Sequence, residues 1–128
     1  MAFPRYFRIV LAVLWTAFII YGLSSEPSGI PTFPWLEIPG VDKLIHVILF
    51  AVEAALLGFV FQEWKEPKTF LAILAWCIIL GGGLEVVQHY WIEGRSGDLL
   101  DLLADMVGAS LVLLKKILGC FRVLETNK

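Results

Sequence analysis

Charge is scarce in this chain. Ten basic and twelve acidic side chains make up 17% of its 128 residues. The basic ones form no run or stripe, which excludes nucleic acid as a partner, since phosphate binding needs a clustered positive face. Cysteine is equally sparse. Cys77 lies inside an apolar run and Cys120 in a basic tail, so the two fall at different depths and no structural disulfide between them is expected. Neither has the spacing of a zinc site, and no dedicated metal or cofactor motif occurs, so no metal and no cofactor are expected. No serine or cysteine nucleophile stands beside a base in a recognisable motif, which leaves acyl transfer without support. What the chain does have is apolar surface. Its hydrophobic content of 59% and mean hydropathy of +0.80 exceed what a water-soluble domain carries.

Four apolar runs, residues 9–23, 44–62, 69–91 and 99–115, approach the roughly 20 residues that a helix needs to cross a bilayer. In lipid a lone strand cannot satisfy its backbone, and a barrel would need alternating segments of about 10 residues. The runs therefore read as helices. The expected architecture is a single all-α domain over residues 1–128, an integral membrane four-helix bundle with spans of about 6–23, 43–62, 69–91 and 98–117. The connection over residues 24–41 holds Pro27, Pro31, Pro34 and Pro39 and cannot continue a helix. The turns at 63–68 and 91–97 are short, so consecutive helices from the second onward should be antiparallel neighbours, with Ser96 or Asp98 capping the fourth.

Orientation follows from the basic residues. Arg5, Arg8, Lys65, Lys68, Lys115, Lys116, Arg122 and Lys128 fall on one side of the four spans, and only Lys43 and Arg95 on the other. Both termini are thus expected in the cytoplasm, with Trp35, Tyr90 and Trp91 at the outer interface and Trp64 at the inner one. Trp15 and Trp76 fall at mid-span, as packing residues. Arg5 and Arg8 before a 15-residue apolar stretch that ends in Gly22 and Ser24 also resemble a secretory signal. A retained span is preferred, because its loss would put the N-terminus on the side opposite the basic tail.

Charged groups in a bilayer are costly and normally turn inward toward partners. In the second helix Lys43, His46, Phe50 and Glu53 share one face by their spacing. In the third, Glu85 and Gln88 share a face with Gly81, and in the fourth Asp98, Asp101, Asp105 and Gly108 do the same. With Asp42, Arg95 and Ser96 beside them, three helices point carboxylates, an imidazole and an amide at one outer half-membrane space. Interhelical gluing competes with a ligand, ion or proton site as the reason, since Lys43 or Arg95 can neutralise Asp98 or Asp101. Glu53, deeper and alone, is expected to act as a neutral hydrogen-bond donor. Gly81, Gly82, Gly83, Gly58 and Gly108 read as close helix contacts.

The order Asp42-Lys43-x-x-His46, Glu85-x-x-Gln88 and Arg95-Ser96-x-Asp98-x-x-Asp101-x-x-x-Asp105-x-x-Gly108, placed against four spans, resembles the VanZ-like membrane proteins over about residues 5–118. The family pattern usually has Asn where this chain has Asp105. The resemblance implies a multi-pass protein of the bacterial cytoplasmic membrane, a common site formed by the motif residues, and a link to resistance to the glycopeptide teicoplanin; it implies no established reaction.

Three functions compete. The first is a factor that binds or modifies a cell-envelope component, a lipid-linked precursor or an anionic lipid headgroup, at the extracytoplasmic leaflet, where Lys43 and Arg95 would hold phosphate and His46 or an acid would move a proton. Its partner would be membrane lipid. The second is a proton- or cation-coupled carrier using His46, Glu53 and Glu85, which four helices would support only as a homo-oligomer. The third is a divalent-metal-dependent membrane enzyme with Asp98, Asp101 and Glu85 as ligands. The motif residues alone leave open whether the protein is an enzyme.

Overall fold

A computed structural model describes residues 3–26, 33–34, 38–61 and 66–126, the side chains of residues 116–126 excepted. Trp35 and Trp64, expected as interfacial anchors, and the side chain of Cys120 lie outside what it describes. The described chain is all-helical, with α1 Arg5–Ser24, α2 Val41–Phe61, α3 Pro67–Trp91 and α4 Leu99–Thr126. Three of these, α1 to α3, are long and apolar enough to cross a membrane. The fourth outruns its expected end at about residue 117 by some two and a half turns, and residues 118–126 hold no proline to stop it.

The helix starts follow from local chemistry. Pro67 opens α3, where a missing N–H costs nothing and the fixed φ suits the first turn. Before α2, Gly40 takes φ +89, a left-handed conformation that glycine adopts without strain. Asp98 precedes α4. Its carboxylate Oδ1 accepts the Leu100 N–H at 2.8 Å, and its carbonyl accepts from Asp101 and Leu102, so Asp98 and not Ser96 is the cap.

Successive helices run antiparallel. Arg8 near the start of α1 donates to the Phe59 carbonyl near the end of α2 at 2.8 Å, and Gln88 near the end of α3 reaches the Leu23 carbonyl at the end of α1. The most extensive contact joins α2 and α4, and Gly108 explains why. A Cβ at that position would collide with the Val47 carbonyl, so the two backbones approach as only glycine permits. Gly81 of α3 makes room for side chains instead, those of Asp105 and Leu102 from α4, whereas none of the described atoms lies within 4 Å of a Cβ at Gly83.

The core is formed by Ile19, Leu23, Phe50, Ala54, Ile73, Cys77, Leu84, Ala109 and Leu113. It is narrow. In none of α1, α2 and α3 is more than 28% of the most apolar stretch buried inside the bundle, and Val13, Leu14, Leu71, Ile79 and Leu111 are all more than half exposed. So much apolar surface exceeds what a water-facing monomer normally shows.

Candidate functional site

The polar faces of α2, α3 and α4 meet at one end of the bundle. Lys43 Nζ donates to Asp42 Oδ2 at 2.9 Å, Asp98 Oδ2 at 3.0 Å and Asp101 Oδ1 at 2.9 Å, which uses all three ammonium protons. One helical turn deeper, His46 Nδ1 lies 2.8 Å from Asp105 Oδ1. Both residues are buried, and the pair is the polar tie between α2 and α4 at that depth. On the far side of the imidazole, Nε2 is 3.9 Å from Asp101 Oδ2, too far for a hydrogen bond.

Glu85 reaches the cluster from α3. Its Oε2 accepts the backbone N–H of Asp98 at 2.6 Å, a role that a glutamate within the helix's own first turn usually takes. A carboxylate from a neighbouring helix thus completes the cap of α4. Gly97 permits the approach, for a Cβ there would stand 2.7 Å from the Glu85 carbonyl. The other oxygen, Glu85 Oε1, is buried without a hydrogen-bond partner among the described residues, and so is Asp105 Oδ2. The cluster therefore sets five carboxylates, those of Asp42, Glu85, Asp98, Asp101 and Asp105, against one ammonium and one imidazole. Ahead of α4, the Leu100 N–H and the Lys43 ammonium hold the Asp98 carboxyl below its ordinary range.

Two of the expected site residues do other work, and a third stands apart. Gln88 donates to the Leu23 carbonyl at 2.9 Å, and Arg95 approaches the same carbonyl at 3.5 Å, so both close the end of α1, whose last carbonyls have no partner within the helix. Arg95 therefore neutralises neither Asp98 nor Asp101. Ser96 is exposed on the α3–α4 turn.

Glu53 belongs to a different site. Its Oε1 lies 2.9 Å from Thr16 Oγ1 and 3.0 Å from Trp76 Nε1. Thr16 Oγ1 also lies 2.9 Å from the Ala12 carbonyl. A hydroxyl has one proton to give, so Thr16 shares it between the Ala12 carbonyl and Glu53 Oε1. Glu53 lies about 10 Å below His46 along α2, and fully buried Phe50 comes between them in that face. The polar series expected of a carrier is thereby interrupted. Trp76 is a donor to Glu53, and Trp15 donates to the Leu49 carbonyl at 3.1 Å; neither is a packing residue only. Thr16 and Trp76 escaped sequence reasoning, although a lone mid-span carboxylate signals that donors must stand opposite it.

Beside the cluster a groove of about 320 Å³ runs between α3 and α4. Val86, Leu99 and Leu102 supply apolar wall, while Glu85, His89 and Asp98 supply polar groups. Glu85 is common to the groove and to the cluster. One donor atom from each of His46, Glu85 and Asp101 lies within 4.8 Å of those of the other two.

No family model matches the chain. No solved structure matches it. An uncharacterized protein of Schizosaccharomyces pombe is 36% identical over 128 residues, which span 98% of this chain and 76% of that protein. The chain belongs to the same family as that yeast protein.

Proposed function

We propose that the chain is a multi-pass membrane protein of the VanZ-like kind, both termini cytoplasmic, that binds a membrane lipid or lipid-linked component at the extracytoplasmic leaflet. The observation that carries this reading is the two-ended chemistry of the groove between α3 and α4, apolar along Val86, Leu99 and Leu102 and polar at Glu85 and Asp98. An amphiphile fits such a groove with its chain on the apolar wall and its headgroup at the carboxylates. The exposed apolar faces of α1, α2 and α3 support the bilayer setting, and the excess of Lys and Arg on one side supports the orientation.

The engaged cations refine what the headgroup can offer. Lys43 spends its protons on three aspartates, so it is not free to hold a phosphate, and Arg95 is turned toward the Leu23 carbonyl. Headgroup hydroxyl or ammonium donors suit the acidic end better, as does an anion carried on a bridging cation. The family includes a yeast protein, so the component is named by its chemistry, as a lipid, and not as a bacterial wall precursor.

Native mass spectrometry of the detergent-purified full chain tests the reading. The wild type is expected to retain a co-purifying lipid, and Leu102→Trp, which fills the groove, to lose it while keeping its helical content. Equal lipid retention by the two proteins would remove the groove as the binding site.

A further inference from the structure

Each of three side chains in the polar cluster is held by one atom and free at the other. His46 is fixed through Nδ1 by Asp105, which leaves Nε2 facing Asp101 without a hydrogen bond. Asp101 is fixed through Oδ1 by Lys43, which leaves Oδ2. Glu85 is fixed through Oε2 by the Asp98 amide, which leaves Oε1, buried and unpartnered. We infer that His46, Glu85 and Asp101 together bind one divalent cation of the Zn²⁺ or Mn²⁺ type, at the point where the cluster meets the groove.

Four observations converge on this assignment. One ligand atom from each of the three residues lies within 4.8 Å of those of the other two, and His46 Nε2 stands 3.9 Å from Asp101 Oδ2; ligands about 2.1 Å from a common ion stand about 3 to 4 Å apart, so small side-chain adjustments close the set. A buried carboxylate behind the second ring nitrogen is the arrangement that orients a ligating histidine and raises its basicity. Glu85, only 9% exposed, holds a buried oxygen that no described protein group satisfies, and a desolvated acceptor of this kind needs a positive partner. The local carboxylate excess also calls for positive charge, and Lys43 supplies it only at the outer rim, where its side chain is 32% exposed.

Donor chemistry selects the ion class. One imidazole with two carboxylates suits a borderline cation, whereas Mg²⁺ and Ca²⁺ take all-oxygen sets. Three protein ligands leave coordination positions open, and Glu85, which also lines the groove, puts them within reach of a headgroup. The ion then supplies the positive charge that lets this acidic site take an anionic headgroup. That last role rests on the lipid reading proposed above; the ion site itself does not.

The test uses the full chain, purified without a histidine tag, stripped with a chelator and dialysed against ZnCl₂ or MnCl₂. Elemental analysis is expected to find about one ion per chain, and Mn²⁺ electron paramagnetic resonance a bound-state spectrum. Glu85→Gln keeps an oxygen for the Asp98 amide and Asp101→Asn keeps one for Lys43, so both should fold without metal; each is expected to lose about 10- to 100-fold in affinity. Binding far below one ion per chain, or affinity unchanged in both variants, would overturn the site. Lipid retention measured on the same preparations separates the two proposals: stoichiometric metal without lipid leaves the ion site standing and removes only the headgroup role, while lipid retained by protein that binds no metal removes the ion site and keeps the groove.

Discussion

Asp105 Oδ1 lies 2.8 Å from His46 Nδ1, with side-chain exposures of 1% and 6%, and this buried pair sets the rotation of α4 against α2. The contact falls one turn from the Gly108–Val47 approach, so the polar tie and the closest backbone contact act on the same pair of helices. Removing either partner leaves a buried polar group without its bond. Asp105→Ala and His46→Ala are each expected to destabilise the metal-free protein by about 3 kcal/mol. The double variant should cost less than the sum, by a coupling of about 1 to 3 kcal/mol. Unfolding in detergent mixed with increasing SDS measures all three, and strict additivity would show that the pair does not act as a unit.

Asp98 separates capping from charge. Its Oδ1 caps α4 at Leu100 and its Oδ2 meets Lys43. Asp98→Asn keeps an acceptor for the cap and discards the charge, and Asp98→Ala discards both. The carboxyl is held below its ordinary value of 3.8 in the folded protein, first by the Leu100 N–H and then by Lys43. A depressed folded-state value means that the charge contributes stability above the unfolded value and loses it as pH falls. The wild type should therefore exceed Asp98→Asn in stability at neutral pH, and the gap should close below about pH 4. Asp98→Ala should be the least stable of the three at neutral pH. A gap that stays constant from neutral pH to pH 3 would mean that the charge adds nothing.

The helices and the polar faces were legible in the sequence because both depend on spacing along one chain. Lys43, His46 and Glu53 recur on one face of α2 whatever packs against it, and the first three apolar runs are followed by segments that hold proline or glycine. Partnerships were not legible, since they depend on how far each helix is rotated and raised against its neighbour. Spacing alone could not show that His46 meets Asp105. Nor could it show that Gln88 and Arg95 turn away from the acids to the Leu23 carbonyl, because the need of a helix end for donors belongs to the backbone and leaves no mark in residue type. Trp15 and Trp76 looked apolar by position, and only the opposing Leu49 carbonyl and Glu53 reveal their N–H groups as donors.

Glu53 tests the deeper polar contact on its own. Glu53→Gln preserves an oxygen for Thr16 and Trp76 and should change stability by less than about 1 kcal/mol. Trp76→Phe removes one donor and should cost about 1 kcal/mol, while Glu53→Ala, which also opens a cavity in the fully buried layer beside Ala54, should cost about 2 to 4 kcal/mol. The order of the three in SDS unfolding is the readout. A Glu53→Gln variant as unstable as Glu53→Ala would show that the negative charge, and not the hydrogen bonding, is what the site requires.

Gly108 and Gly83 give opposite expectations for the same substitution. A methyl group at Gly108 would collide with the Val47 carbonyl, whereas none of the described atoms lies within 4 Å of one at Gly83. Backbone cannot yield as a side-chain tip can, so Gly108→Ala must push α4 away from α2 and should cost about 3 kcal/mol, at the upper end of what overpacking does. Gly83→Ala fills open space on an exposed face and should stabilise α3 by about 0.5 to 1 kcal/mol through helix propensity. The displacement at Gly108 also loosens the His46–Asp105 bond one turn away. If His46, Glu85 and Asp101 hold a divalent cation, Gly108→Ala should weaken Zn²⁺ binding although it touches none of the ligands, and Gly83→Ala should leave it unchanged. Equal Zn²⁺ affinity in both variants would mean that the approach of α4 to α2 does not position the ligands.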